Sequence, residues 1–253
     1  MPTTSERVLN DPANFHHRPD EAGDPFAPFR AADPSRPFVI AQLGQSLDGR
    51  IATVSGESKY INGAPALDHL HRMRAEVDAV IVGASTIVAD DPQLTVRRVS
   101  GRNPARIVID PSRRLKSGAR WLEEDGTPRL IICAQNASAQ SCTGAERLEL
   151  VSSNGAIDPR LIIESLFARG FKRILIEGGA KTISVFLDAG CIDRLHLLMA
   201  PMIIGSGRNG LDLSPIAELS RALRPKTYLH ALGAGEFLID CNLRQSAQEE
   251  HQP

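Results

Sequence analysis

The stretch RILIEGGAKTISVFLDAG, residues 173–190, joins two kinds of local structure. It begins with a short run of Ile and Leu, 173–177, which is typical of a sheet strand buried on both faces. A double glycine follows, and residues 179–190 are predicted to form a helix that a further glycine ends. A strand that passes directly into a helix is typical of α/β folds.

Short apolar runs rich in Val, Ile and Leu recur along the chain, and each predicts a buried strand. Amphipathic helices are predicted over 64–77 and over 158–170, the latter with Asp and Pro at its start and Gly at its end. Residues 227–244 indicate two strands around a Gly-Ala-Gly turn, hence an antiparallel edge. The predicted fold is α/β, with a mostly parallel central sheet, an antiparallel C-terminal hairpin and helices on both faces. The predicted strands are 38–44, 78–83, 105–110, 129–134, 173–179 and 194–204.

The beginning of the chain, 1–37, is rich in proline and has no periodic pattern. It is interpreted as an extended or flexible N-terminal arm, in which His16 and His17 form a solvated pair rather than a metal site. The chain has no internal repeat and no interior linker, so residues 38–244 are predicted to form one domain. A polar tail follows over 245–253.

The composition argues against several classes of protein. The formal net charge is −1, so no global field would attract nucleic acid or an anionic membrane. No apolar run reaches the roughly 18 residues that a spanning helix needs. The N-terminus lacks the layout of a signal peptide, so a cytoplasmic location is expected. The four cysteines show no C-x-x-C pairing, which indicates neither a zinc site nor a disulfide framework.

Residues 205–210, GSGRNG, match the dinucleotide-binding pattern G-x-G-x-x-G letter for letter. That pattern is informative where its loop opens a helix early in a strand–helix–strand unit. Here the motif comes late in the chain, and Pro215 interrupts the segment that follows it. A glycine-rich connection is therefore favoured over a pyrophosphate site.

Two other segments have ligand-binding character. The double glycine Gly178-Gly179 would let the backbone approach a phosphate at the start of a helix, although a tight strand-to-helix turn explains it equally well. The loop 46–63 is polar, rich in glycine and longer than a connector requires. Its side chains suit hydrogen bonds to a polyhydroxylated ligand, and a plain surface loop is the alternative.

The segment ASTIVADDPQLTVRR, residues 84–98, follows a buried strand and ends in two arginines that suit a phosphate or carboxylate. Its adjacent aspartates suit sugar hydroxyls. A metal site is disfavoured, because adjacent side chains in an extended segment point in opposite directions. The structural alternative is an Asp side chain that caps the turn before Pro92.

Four segments together resemble a known family. They are QSLDGRIATVSGESKYI (45–61), HRMRAEVDAVIVGASTIVADDPQLTVR (71–97), RIVIDPSRRL (106–115) and LIEGGAKTISVFL (175–187). In the same order, from about Val39 to Arg244, they are similar to the reductase domain of riboflavin biosynthesis, the C-terminal half of the bifunctional pyrimidine deaminase/reductase. The zinc-binding motifs of the deaminase half are absent, so the resemblance implies a stand-alone reductase.

The resemblance implies a dihydrofolate-reductase-like fold, NADPH as cofactor and a homodimer. The implied enzyme is an NADPH-dependent oxidoreductase of the riboflavin pathway. It would reduce the ribosylamino side chain of a pyrimidine 5′-phosphate, of the 5-amino-6-(5-phosphoribosylamino)uracil type, to the ribitylamino form. The sugar would open to an imine that accepts hydride, while the protein aligns the reacting carbons and excludes water.

The resemblance also assigns site residues by motif position. The catalytic candidates are Asp90 and Glu177, and no metal is expected. The arginines Arg74 and Arg97 are expected at the 5′-phosphate, and Ser112 with Arg113 at the adenosine 2′-phosphate. Substrate contacts are assigned to Ser58, Arg74, Leu94, Arg97 and Glu177. Cofactor contacts are assigned to Gly44, Tyr60, Thr86, Asp90, Ser112, Gly178, Gly179, Ala180, Lys181, Thr182 and Ile183.

Two residues depart from the pattern of the family. Gln42 stands where the family often has Lys, which removes a cation that would bind a ring carbonyl. Tyr60 stands where the family often has Trp, and it retains an aromatic face for stacking. Two alternatives stay open: a reductase of the same fold that acts on a pterin or another heterocycle, and a non-catalytic nucleotide-binding protein.

Overall fold

The computed structural model describes residues 23–135, 137 and 142–244. The helices are α1 Ala27–Arg30, α2 Ala64–Glu76, α3 Ala84–Asp90, α4 Pro159–Ala168 and α5 Ala180–Asp188. The strands are β1 Phe38–Ser46, β2 Arg50–Thr53, β3 Ala79–Gly83, β4 Ala105–Ile109, β5 Arg129–Ala134, β6 Glu146–Leu150, β7 Arg173–Glu177, β8 Arg194–Ala200, β9 Gly207–Asn209, β10 Lys226–Gly233 and β11 Glu236–Asn242. Two 3₁₀ turns, Arg120–Leu122 and Leu219–Arg221, lie in the connections.

Nine of these strands form one sheet in the order β10-β11-β8-β1-β7-β3-β4-β5-β6. From β8 to β6, each strand is parallel to the next one in this order. The C-terminal hairpin of β10 and β11 adds an antiparallel edge against β8. The mostly parallel sheet with an antiparallel C-terminal hairpin, predicted from the sequence, is therefore confirmed.

Apolar side chains form a core on each face of the sheet. One core contains Ile162 of α4 and Phe186 of α5, and the other contains Met73 of α2 and Ile87 of α3. Alternate residues of a strand belong to opposite cores. Because both faces are covered, the central strands appear in the sequence as continuous apolar runs rather than as an alternating pattern.

The two longest helices begin in different ways. At the start of α4, the Asp158 side chain accepts the N–H of Arg160 at 2.9 Å, as the Asp-Pro sequence predicts. Helix α2 has no local side-chain cap. Instead, the buried carboxylate of Glu236, from β11, accepts the N–H groups of Gly63 at 2.6 Å and of Ala66 at 3.2 Å. The hairpin therefore fixes the start of α2.

The segment before β1 differs from the expected arm. Its residues 24–37 include α1, and Phe26 and Phe29 are 7% and 1% exposed in one of the two cores. The prolines concealed a short helix, because one of them occupies its first turn, where proline is tolerated. Residues 1–22, which include the two predicted solvated histidines, and the predicted polar tail 245–253 lie outside the described residues.

Besides α1 and the edge strand β6, two features near the carboxyl ends of the strands were not predicted. Residues 84–90, expected as a polar turn and extended segment, form the helix α3. Strands β2 and β9 pair antiparallel in a ribbon separate from the main sheet. Both features lie beyond the carboxyl ends of the parallel strands, where open α/β sheets bind their ligands.

Candidate active site

A cleft of about 460 Å³ lies at the carboxyl edge of the sheet. Its floor includes Gln42 and Gly44 near the end of β1, and Gly178 and Gly179 just after β7. Ser85, Thr86, Ala89 and Asp90 of α3 line one wall. The volume is within the range of small-molecule and cofactor sites, roughly 300–1,000 Å³.

The loop between β2 and α2 forms another wall of the cleft, with Ser58, Tyr60, Ile61 and Asn62. The Asn62 amide donates to the Leu198 carbonyl at 3.1 Å, which ties the loop to β8. A Cβ atom at Gly44 would overlap the Asn62 side-chain oxygen, so a larger residue there would displace this side chain. Tyr60 is 88% exposed, with a φ of 69°, and its ring stands at the mouth of the cleft.

The double glycine lies against α3. Gly178 has a φ of 78°, and a Cβ atom there would be 3.0 Å from both Oγ1 and Cγ2 of Thr86. A Cβ atom at Gly179 would be 3.3 Å from the same hydroxyl. Gly179 also precedes α5, and no side chain caps that helix. The backbone is thus open where a helix offers free N–H groups and the positive end of its dipole, an arrangement that suits a phosphate.

The structure brings part of the predicted site together at the cleft: Gly44, Ser58, Tyr60, Thr86, Asp90, Gly178 and Gly179. Arg74, Leu94, Arg97, Ser112 and Glu177 do not line it, nor do the predicted residues from Ala180 to Ile183. Leu94 and Ile183 are 1% and 0% exposed in the cores, so their side chains pack inside the protein rather than facing the cleft.

Arg74 and Glu177, predicted to bind different parts of the substrate, are bound to each other. Nε and Nη2 of Arg74 each lie 2.7 Å from a carboxylate oxygen of Glu177. The third guanidinium nitrogen donates to the Thr95 carbonyl at 2.9 Å. Burial opposes the charge of Arg74, but the Glu177 carboxylate outweighs it and raises the pKa of Arg74. All three nitrogens of Arg74 are thus engaged within the protein.

Arg97 is exposed and forms no salt bridge with a carboxylate of the described residues. Its backbone N–H donates to His71 Nδ1 at 2.9 Å, and its guanidinium donates to the Thr95 hydroxyl at 2.7 Å. Burial and the guanidiniums of Arg74 and Arg120 lower the pKa of Arg97. A dianionic phosphate would relieve this repulsion, so Arg97 retains the predicted character of a phosphate ligand.

His71 is neutral beside these arginines. Burial and the charges of Arg74, Arg97 and Arg98 lower the pKa of His71 to about 4. Its unprotonated Nδ1 therefore accepts the N–H of Arg97 at neutral pH. The histidine holds the backbone that carries the exposed arginine.

The two adjacent aspartates have separate roles. Asp90 is the last residue of α3 and lines the cleft. Asp91 ends the helix in the left-handed conformation, with a φ of 39°, and its carboxylate accepts the N–H of Arg120 at 2.8 Å. The expectation of an extended segment is wrong here, and the Asp91 carboxylate bonds the distant Arg120 rather than capping the turn before Pro92.

The loop after β4 also differs from its prediction. Arg113, expected at an adenosine 2′-phosphate, is 7% exposed and donates to Glu149 at 2.7 Å. Ser112 and Arg114 are the exposed neighbours, and the Arg114 side chain is 60% exposed. A positive φ of 53° at Arg113 turns its side chain inward, a conformation that no local sequence pattern indicates.

Sequence reasoning missed Arg208 as a site residue, although it lines the cleft from β9. It is the one Lys or Arg among the described residues that line the cleft, and Asp90 is the one acidic residue. The available signal is the GSGRNG motif, which by itself favours only a glycine-rich connection because its glycines do not open a helix. Gly207 is in a strand pairing, Gly205 and Gly210 lie on either side of that strand, and the residue that reaches the cleft is the arginine.

The described residues contain neither a metal-binding cluster nor a membrane-spanning helix. Within the described residues, no three His, Cys, Asp or Glu side chains are grouped as a metal site would need. In that same part of the chain, every helix is too short or too polar to cross a lipid bilayer.

Comparison with known proteins gives consistent matches. The family model described as the RibD C-terminal domain matches residues 37–229. The chain is 36% identical over 196 residues to the 2,5-diamino-6-ribosylamino-4(3H)-pyrimidinone 5′-phosphate reductase of Methanothermobacter thermautotrophicus, covering 75% of this chain and 90% of that protein. It is 31% identical over 179 residues to the riboflavin biosynthesis protein RibD of Aquifex aeolicus, covering 70% of this chain and 50% of that protein.

A solved structure agrees with these matches. The diaminohydroxyphosphoribosylaminopyrimidine deaminase/5-amino-6-(5-phosphoribosylamino)uracil reductase of Thermotoga maritima superposes with a TM-score of 0.68 at 30% identity. The superposition covers 83% of this chain and 57% of that protein. The chain therefore spans nearly all of the Methanothermobacter relative and about half of the RibD proteins.

Proposed function

This chain belongs to the RibD C-terminal domain family, and we propose that it is a nicotinamide-dependent reductase of a phosphorylated ribosylaminopyrimidine. The product would be the ribitylamino form. The observation that carries this proposal is the 36% identity to a pyrimidinone 5′-phosphate reductase along 90% of that protein's length. The cleft beyond the carboxyl ends of β1, β7 and β3 supports it, because several residues assigned by the family resemblance meet there.

The proposed cofactor is NADPH, which would supply hydride when bound. Gly178 and Gly179 fit its pyrophosphate, since side chains there would meet Thr86 and since no side chain caps the helix that follows. The exposed residues Ser112 and Arg114, rather than the buried Arg113, fit an adenosine 2′-phosphate. An exposed arginine at that loop favours NADPH over NADH.

The proposed substrate site runs along α2. Leu67 and Leu70 of this helix line the cleft, and one or two turns further along Arg74 holds the Glu177 carboxylate at the end of β7. Glu177 would orient the sugar hydroxyls, and Arg97 would bind the 5′-phosphate. The loop that carries Ser58 and Tyr60 would cover the reacting carbons and exclude water.

Gln42 is the proposed contact for the heterocycle. It is 7% exposed, lines the cleft, and its amide has no hydrogen-bond partner among the described residues. An amide offers both a donor and an acceptor, so it would pair with adjacent ring N–H and C=O groups. Relatives are named for two rings, a 2,5-diaminopyrimidinone and a 5-aminouracil. The 5-aminouracil is the ring predicted from the sequence, and the Methanothermobacter match supports the diamino ring as a second candidate.

We also propose that the enzyme is a cytoplasmic homodimer with no nucleic-acid or membrane partner. Several exposed apolar side chains lie in the segment between β8 and β10, and a dimer would cover them: Met202, Ile203, Ile216, Leu219 and Leu223. A stable pair of subunits requires an apolar contact of this kind. Light scattering coupled to size-exclusion chromatography would report a mass of one chain if this part of the proposal is wrong.

The decisive experiment follows NADPH absorbance with each of the two freshly prepared ribosylaminopyrimidine phosphates. We expect oxidation with at least one of them and the ribitylamino product by mass spectrometry. Oxidation with a dihydropterin alone would instead support a reductase of another heterocycle. Tight NADPH binding without oxidation of any of these compounds would support a non-catalytic nucleotide-binding protein.

A further inference from the structure

The motif GSGRNG contains the short strand β9, which brings an arginine to the cleft. Arg208 of β9 pairs with Ala52 of β2 in the ribbon. A Cβ atom at the preceding Gly207 would overlap the Ala52 carbonyl oxygen. The close approach of the two strands therefore requires glycine at residue 207. The glycines of the motif therefore shape the ribbon, and Arg208 is the residue that the ribbon presents to the cleft.

The guanidinium of Arg208 extends toward the loop that covers the cleft. Its Nη2 atom lies 3.0 Å from the position that a Cβ of Gly56 would occupy, and Gly56 has a φ of 94°. Arg208 forms no salt bridge with any carboxylate in the described part of the chain. A cation at the wall of a cleft without an internal counter-ion suits an anionic ligand.

The ribbon is held in place by the segment before β2. The Asp48 carboxylate accepts the N–H groups of Ile204 at 3.1 Å and of Gly205 at 2.7 Å, and the Ser46 hydroxyl donates to it at 2.6 Å. These hydrogen bonds lower the pKa of Asp48 to about 2. At the other end of the ribbon, the N–H of Gly210 donates to the Gly49 carbonyl at 3.0 Å. Arg208 is therefore carried by an anchored element.

We propose that Arg208 binds a phosphate oxygen of the dinucleotide cofactor, as the cationic complement to the double glycine in the same cleft. This inference rests on the proposed function. A pyrophosphate carries two negative charges, whereas a helix N-terminus offers about half a positive charge. The substrate phosphate is the other possible anion, but its proposed ligand, Arg97, does not line the cleft.

The test compares Arg208→Ala and Arg208→Lys with Arg36→Ala, a matched control. Arg36 is exposed and precedes β1, so it lies at the amino ends of the parallel strands, whereas the cleft lies at their carboxyl ends. Fluorescence titration would give the Kd of NADPH, and isothermal titration calorimetry would give that of ribose 5-phosphate, a probe for the substrate phosphate. Thermal unfolding of each variant would verify that it is folded.

We expect Arg208→Ala to weaken NADPH binding by about tenfold or more, the loss typical of a hydrogen bond to a charged group. Arg208→Lys should retain part of the affinity, and Arg36→Ala should retain all of it. The affinity of ribose 5-phosphate should not change in any variant. Unchanged NADPH affinity in Arg208→Ala, or a loss confined to ribose 5-phosphate, would overturn the inference. Absence of NADPH binding by the wild-type protein would overturn the proposed function as well.

Discussion

At the scale of single residues, the buried pair of Arg74 and Glu177 links stability to the candidate site. Both side chains are almost fully buried, at 7% and 6% exposed, and they form two parallel hydrogen bonds of 2.7 Å. Each compensates the charge of the other in a region of low dielectric. Removal of one partner leaves a buried charge without compensation, which is far more costly than the pair is stabilising.

Arg74→Ala should therefore lower the free energy of unfolding by about 3–5 kcal/mol, since Glu177 would remain as a lone buried carboxylate. Urea denaturation at neutral pH measures this loss. The matched control is Arg98→Ala, which breaks the exposed pair of Arg98 with Asp68 at 2.6 Å. That change should cost about 0–1 kcal/mol, because solvent screens both charges. Equal losses in the two variants would show that burial does not determine the strength of these pairs.

At the scale of secondary-structure elements, the sequence predicts the long elements well and the short ones poorly. The central strands and α4 follow from apolar runs and from the Asp-Pro start of the helix, which are local signals. The ribbon of β2 and β9 is held by Asp48, and the inward turn of Arg113 depends on Glu149. Partners so distant in sequence leave no periodic pattern, so these features of the site were not predictable from single segments.

The strand-to-helix connection after β7 provides a prediction at this scale. Gly178→Ala should destabilise the turn in two ways, by its φ of 78° and by contact with Thr86 at 3.0 Å. The control Gly170→Ala has a similar φ of 91° but no atom within 4 Å of its Cβ. Its free energy of unfolding should fall only by the cost of placing a non-glycine residue in the left-handed conformation, about 1–2 kcal/mol. Gly178→Ala should lose more stability and also weaken NADPH binding, as measured by urea denaturation and fluorescence titration. Equal affinity for NADPH in both variants would contradict the proposed cofactor site.

At the scale of the whole molecule, a buried histidine cluster joins the N-terminal segment to the hairpin edge of the sheet. His69 Nε2 of α2 lies 3.0 Å from His196 Nδ1 of β8, and His196 Nε2 lies 3.4 Å from an oxygen of Asp240 in β11. The rings of Phe26 and Phe29 pack on His69 and His196, with centroids 4.9 and 6.0 Å apart. Charging any histidine here would disturb the packing of several elements at once.

Burial determines the charge state of this cluster. Burial, together with the neighbouring His196 and His230, lowers the pKa of His69 from 6.5 to about 3. Burial also lowers the pKa of His196, although Asp240 opposes the shift. Burial opposes the charge of Asp240, but the contact with His196 and the hydrogen bonds from Arg194 outweigh burial and lower the pKa of Asp240. At neutral pH the cluster therefore consists of neutral histidines beside an ionised Asp240 that is paired with Arg194.

These shifts predict how stability depends on pH. Between pH 6.5 and about 3, the unfolded chain binds a proton at residue 69 that the folded protein does not bind, so the free energy of unfolding falls as the pH falls. Each such histidine contributes a slope of at most about 1.4 kcal/mol per pH unit. Carboxylates whose pKa is lowered in the folded protein, such as Asp240, also make the free energy of unfolding fall as the pH falls. They do so only below the carboxyl pKa of the unfolded chain, 3.8. A series of urea denaturations from neutral pH down to about pH 5 therefore isolates the histidines.

The variant His69→Gln tests the assignment, because an amide keeps a hydrogen bond to His196 but does not titrate. It should be less stable than the wild type at neutral pH, since the packing against Phe26 is lost. Its free energy of unfolding should nevertheless fall less steeply with decreasing pH. An unchanged slope would show that the acid sensitivity arises from other groups, His71 first among them, since its pKa is also depressed, to about 4. The slope, rather than the stability at one pH, therefore distinguishes a titrating residue from one that only packs.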